Sequence, residues 1–144
     1  IIPAGGIVST VDDLHIWAEM LLNQGKLKGK RVLSKSILEL ATQNHTGTMR
    51  NELFDYARVQ YGWPVFPAYL GLGFFLRGEG AFPTPFGATA SKKAFGGLGA
   101  GSSMFLVDPE RDLTFTLLTS GLMEEGRNFM RFQKLSDMAL ASAE

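Results

Sequence analysis

The chain has 144 residues, 45% of them hydrophobic and 19% charged, with 14 Lys and Arg against 14 Asp and Glu. That length suits one domain, and that balance excludes a disordered tail, a nucleic-acid-binding stripe and a polybasic membrane patch. Cysteine is absent, which removes disulfides, thiolate zinc sites and cysteine nucleophiles together but leaves the compartment open.

Residues 1–8 form an apolar, Gly-rich entry that begins at Ile1 without methionine. No signal peptide is visible and no apolar run approaches the roughly 20 residues of a bilayer span. Ser9 and Thr10, with Asp12 and Asp13 three residues after each, predict a helix start: the hydroxyl caps free N–H groups and the acids suit the positive end of the dipole. Leu14, Trp17, Ala18, Leu21 and Leu22 then fall on one helical face, and Gly25 stops the helix. The run KLKGKR at 26–31 reads as a solvated connection. A second helix starts at Ser34, with Ile37, Leu38, Leu40 and Ala41 inward, and ends between Asn44 and Gly47.

Residues 48–68 mix charges, aromatics and two prolines, and read as an irregular surface excursion. Leu70–Arg77 reads as a strand and Gly78–Ala94 as a loop. Gly96, Gly97, Gly99 and Gly101 then leave a short piece of backbone bare. It leads into two strands, Ser102–Val107 and Leu113–Thr119. The DPERD between them is hairpin chemistry: Pro109 presets its φ and the acids can bond local amides. Glu125–Ala143 reads as a helix with Phe129, Phe132, Leu135 or Ser136, and Ala139 along one side. Two helices, three strands and a helix imply an α+β fold, an antiparallel sheet flanked by helices.

Few of these residues combine into chemistry. His15 lacks a second ligand at metal spacing, and His45 suits a helix end, so no metal or cofactor is expected. Adjacent Asp12 and Asp13 point apart on a helix. Lys92 and Lys93 read as solvated. Ser102 and Ser103 sit in no G-x-S-x-G turn and have no activating lysine. The glycines are no phosphate loop, because G-K-[ST] is missing and a strand follows. What remains is a bare strand start, whose N–H groups suit either a polarised carbonyl oxygen or a closely packed neighbour.

PAGGIVSTVDDLHIWAEMLLNQG at 3–25, GKRVLSKSILELATQNHTG at 29–47, YLGLGFF at 69–75 and FGGLGAGSSMFLVDPERDLTFTLLTSG at 95–121 together resemble the C-terminal part of the serine β-lactamase and penicillin-binding-protein-like hydrolases. The nearest branch holds class C β-lactamases and related esterases. The resemblance implies a partial β-lactamase-like (DD-peptidase-like) fold over residues 1–144, read as a single C-terminal portion. It implies a small-molecule ester, amide or β-lactam substrate, attacked by the serine of an S-x-x-K motif. The third motif of that family, usually K-T-G or H-x-G, falls on Gly97, Leu98 and Gly99 as substrate-binding residues. The oxyanion-hole N–H that follows it falls on Ala100. Gly97 stands where such enzymes commonly place Lys, His or Trp, which suits an esterase-like activity better than recognition of a β-lactam carboxylate.

No S-x-x-K occurs in this sequence. Tyr56, Tyr61 and Tyr69 lack the Y-x-N or Y-x-S context, and HTG at 45–47 follows a helix instead of opening a strand. The resemblance therefore implies a nucleophile upstream of Ile1 and an inactive chain when alone. A non-catalytic binding module derived from the same fold is the alternative. The apolar strand Leu113–Thr119 is expected to be covered by the N-terminal segment, a second copy or a rearranged element, since a bare edge invites association.

Overall fold

Thr10 opens the first helix, α1 (Val11–Leu22), by accepting from Asp13 N at 3.1 Å. The computed structural model describes residues 7–143, so most of the Gly-rich entry lies outside the described residues. The buried stripe of α1 is Ala18, Met20 and Leu21, whereas Trp17 stays 40% exposed. The basic run folds as a small hairpin, β1 (Lys26–Leu27) and β2 (Lys30–Arg31). Its turn residues Lys28 and Gly29 both have positive φ, the geometry of a type I′ turn. Ser34 caps α2 (Lys35–Ala41) through Ile37 N. Only Leu38 is buried in that helix, while Ile37 and Leu40 face out, because seven residues give barely two turns and one contact row.

Residues 48–68 are not a surface excursion. They carry α3 (Asp55–Tyr61) and bury Asn51, Phe54, Ala57 and Phe66. Phe54, Phe66 and Phe129 form an aromatic cluster, with Trp63, Phe75, Phe82 and Leu98 packed against it. A cluster of rings drawn from distant segments leaves no periodicity to read.

Among the described residues the main sheet has four strands in the order β3 (Phe75–Leu76), β4 (Phe95–Gly99), β5 (Ser103–Asp108) and β6 (Leu113–Leu118), each antiparallel to its neighbours. The expected strand at 70–77 contracts to two residues, and the glycine stretch becomes a strand of its own. Glycine weakens strands because it packs nothing. Here aromatic rings from elsewhere supply the missing bulk.

Alternation sorts the core onto two faces. Met104 and Leu106 turn to Phe86, Phe132 and Leu140, on the side of α4 (Glu125–Ser142). Phe95 and Val107 turn to Ala18, Met20 and Leu21 of α1. Between Phe132 and Leu140 on the same face of α4 sits Ser136, fully buried, whose hydroxyl donates to Pro85 O at 3.0 Å. The long loop 78–94 is tied down by Arg77, which donates to the carbonyls of Gly78 and Gly80 at 3.2 Å and lies over the Phe82 ring. That anchorage lets the loop deliver Phe86, with no exposed surface, into the core.

The outer edge of β6 has no strand partner among the described residues. Helix α1 lies against the face of β6 and not its edge: Thr114 Oγ1 donates to Glu19 at 2.7 Å, and His15 Nδ1 lies 3.4 Å from Thr116 Oγ1.

The β5–β6 turn is held by Asp108, a carboxylate with no exposed surface. It accepts from Ser91 N at 2.8 Å, from the Ser91 hydroxyl and from Glu110 N at 3.2 Å, with Arg111 Nε at 3.8 Å. Replacing it leaves several part-buried donors without their acceptor at once. Asp108→Ala is expected to cost about 3 kcal/mol in urea unfolding, and Asp108→Asn less, because one acceptor survives. An unchanged urea midpoint for Asp108→Ala would remove the anchor role.

Candidate functional site

Arg77 N donates to Ala94 O at 2.8 Å, so the main chain at residue 94 faces β3. Hydrogen bonding alternates along an antiparallel strand, which turns the main chains of Gly96 and Leu98 to the same side. Strand β3 ends opposite Gly96, at Phe75, and the chain leaves through Gly73 at φ +81°. Beyond Gly96 the β3-side edge of β4 is therefore open.

The strand then enters a tight turn. Ser102 N donates to Gly99 O at 3.0 Å, Ser102 has φ +68°, and Gly99 pairs with Ser103. This is a three-residue hairpin built on a type I turn with a left-handed third residue. Ala100 occupies its first central position, and its N–H has no partner among the described residues.

The turn is braced from behind. Ser102, 1% exposed, donates its hydroxyl to Gly121 O at 2.9 Å. Thr119 Oγ1 donates to Ser102 O at 2.8 Å, and Arg131 donates to Thr119 Oγ1 and Asn128 Oδ1 at 3.1 and 2.8 Å. Ser102 is thus a structural residue, with its oxygen committed.

Leu98, Gly99 and Ala100 line a cleft of about 460 Å³. Leu53 and Phe54 ahead of α3, Phe75 of β3, and Leu122 and Met123 ahead of α4 complete its apolar walls. Helix α4 contributes Glu125, Asn128, Phe129 and Phe132. Gly97 lies on the opposite face of β4. A Cβ there would stand 2.5 Å from Phe105 Cε1, and Phe105 is its direct cross-strand partner. The ring fills the space a side chain at 97 would need.

The remaining candidates do not converge on the cleft. Lys92 and Lys93 pair with Glu79 and Glu110 at 3.4 and 3.3 Å, at the far end of β4. Six extended residues span about 20 Å, beyond the reach of a lysine. His45 Nε2 meets Leu40 O at 2.8 Å, closing a helix end. Among the described residues no group of three His, Asp or Glu is placed to hold a metal ion, and no helix is long and apolar enough to cross a membrane. Sequence reasoning missed Glu125, Asn128 and the walls from 53–54 and 122–123. Phe129 and Phe132 were legible from helical spacing.

Two carboxyl groups meet at the start of α4. Glu124 accepts from Gly126 N, Arg127 N and Tyr61 OH at 2.8, 2.9 and 2.7 Å. These bonds, that of Gly126 first, hold it below the usual range for a glutamate, and the Tyr61 phenol is pushed up in turn. Glu125 moves the other way, raised by burial and then by the Glu124 charge.

Residues 2–137 match the family model described as Beta-lactamase. No curated protein sequence matches the chain. Among solved structures, a beta-lactamase from Mycobacterium bovis is similar with a TM-score of 0.71 and 27% identity, over 94% of this chain and 44% of that one. The chain thus spans under half the length of that structure.

Refilling position 97 should clash. Gly97→Lys is expected to cost about 1–3 kcal/mol against Phe105, and less in a Phe105→Ala background. Equal costs in chemical denaturation of both backgrounds would contradict the assignment. Glu124 makes a pH prediction. Its folded pKa is lowered, so its bonds contribute stability above the ordinary glutamate pKa and lose it as pH falls through the lowered value. Carboxyl NMR titration should put the Glu124 midpoint below that of an ordinary glutamate and the Glu125 midpoint above it.

Proposed function

The chain belongs to the beta-lactamase family, and on that premise we propose that it is the C-terminal portion of a serine hydrolase acting on an ester or amide. The observation that carries this reading is the free Ala100 N–H at the mouth of an apolar cleft, beside an open strand edge. A substrate acyl group laid along Leu98 and Gly99 brings its carbonyl oxygen toward Ala100 N–H. That donor sits in a turn pinned on three sides, so it is oriented before charge develops on the oxygen. The nucleophile, the base and a second oxyanion donor come from sequence outside this chain, which also pairs with the edge of β6.

In the reaction the serine oxygen attacks the carbonyl carbon and its proton passes to the base. The bond to the leaving group breaks, and the leaving group takes up that proton. Water then attacks the acyl-serine ester and restores the serine. Among the described residues the walls of the cleft carry no cationic side chain for a substrate carboxylate, and this favours simple esters over β-lactams.

The purified chain should turn over neither p-nitrophenyl esters nor nitrocefin, whereas protein extended by its upstream sequence should hydrolyse the esters. Turnover by the chain alone would sink this reading, and an upstream sequence without S-x-x-K would favour a non-catalytic module. Ala100→Pro isolates the donor. Proline suits the first central position of a type I turn and replaces the N–H hydrogen with a ring carbon. In the extended protein it should lower kcat about 10²- to 10³-fold with the fold intact. An unchanged kcat would take Ala100 out of the oxyanion hole.

A further inference from the structure

The cleft is apolar almost throughout, and its polar lining is sparse. Of the side chains that line it, Asn128 is engaged by Arg131 and Glu125 alone carries charge. Glu125 is exposed and lines the same cleft as Ala100.

No cation among the lining residues offsets it. Helix α4 begins at the cleft, but two of its terminal N–H groups are already taken by Glu124, so the helix end adds little attraction for an anion. Arg131 is not among the lining residues; its Nη2 donates away from the cleft space to Thr119 and Asn128. Arg127 lies on the outer side, beside Glu124 and Tyr61. Lys92 and Lys93 are paired at the far end of the strand.

We infer that Glu125 is a specificity-determining residue: the cleft takes an apolar acyl group whose attached part is uncharged or cationic, and Glu125 turns away ligands that carry a carboxylate. This rests on the reading of the cleft as the acyl site and names the charge class of its substrate. The physical basis is like-charge repulsion at the mouth of a low-dielectric groove. Near a protein surface it is worth far more than in bulk water, yet salt still screens it because the residue is exposed.

Binding tests this without any nucleophile. Three ten-carbon probes are compared on the chain by calorimetry at pH 8 and low salt: decanoate, monodecanoyl glycerol and decyltrimethylammonium. Trp63 fluorescence gives a second readout, since Trp63 packs 5.1 Å from the cleft residue Phe129. The neutral and cationic probes should bind roughly 3- to 10-fold tighter than decanoate. Glu125→Gln should bring decanoate within about twofold of the neutral probe, and so should 0.5 M salt on the unmodified chain. Leu122→Lys, at a position 84% exposed and so safe for folding, should raise decanoate affinity directly.

Equal binding of decanoate and the neutral probe by the unmodified chain would overturn the inference. So would a ratio unmoved by Glu125→Gln, or failure of all three probes to bind. Charge-selective binding with no ester turnover in the extended protein would overturn the hydrolase reading alone. Ester turnover indifferent to substrate charge would overturn this inference alone.

Discussion

The structure turns on two rings that close over one strand without side chains. Phe105 lies against Gly97 on the α1 face of β4, and Phe86 lies against Gly96 on the α4 face. A side chain at either position would push a ring out and separate the strand from its neighbours. An aromatic residue directly across from a glycine restores the packing that glycine lacks. This is why a segment with four glycines in six residues holds strand geometry, and why its register with β5 is set by bulk on its partner.

That register decides where the turn falls. With Phe105 over Gly97, Gly99 must meet Ser103, and the three residues between them must turn. Ser102 then takes a left-handed conformation at φ +68°, which an L-residue adopts at a cost. Its buried bonds to Gly121 and Thr119 offset that cost. At the other end of the same hairpin Asp108 performs a similar task with backbone donors. The hairpin is fixed at both ends, and the Ala100 N–H is consequently a placed donor and not a mobile one.

The cleft beside it is a by-product of aromatic packing. Phe54, Phe75 and Phe129 meet edge-on or tilted, and the space they leave against Leu98 opens toward solvent at Glu125. Glycine plays one further role at Gly126, where an added Cβ would strike the Tyr61 ring. That close approach of α3 to α4 lets Tyr61 reach Glu124 and ties the wall at 53–61 to the helix that forms the floor. A wall of rings with a single ionised group at its mouth is a surface for an apolar group, not for a dianion.

Much of this was legible in the residues. The caps at Thr10 and Ser34, the DPERD turn and the face of α4 follow from local chemistry, because each is settled within one or two turns of chain. The family was legible too, from motifs in order. The glycine strand was not, since its strand character belongs to Phe105 and Phe86. Nor was the burial of 48–68, whose rings pack against partners as far away as Phe129. Trp17 was expected inside and lies partly outside, because the sheet meets α1 along Ala18, Met20 and Leu21, a direction no helical period can supply. Sequence by itself therefore determined the caps, the turns and the fold class, through neighbours along the chain and motifs in order. Only the tertiary structure decided that the Ala100 N–H opens on an apolar cleft that Glu125 also lines, because that cleft is made of surfaces that meet only after the long loops have closed.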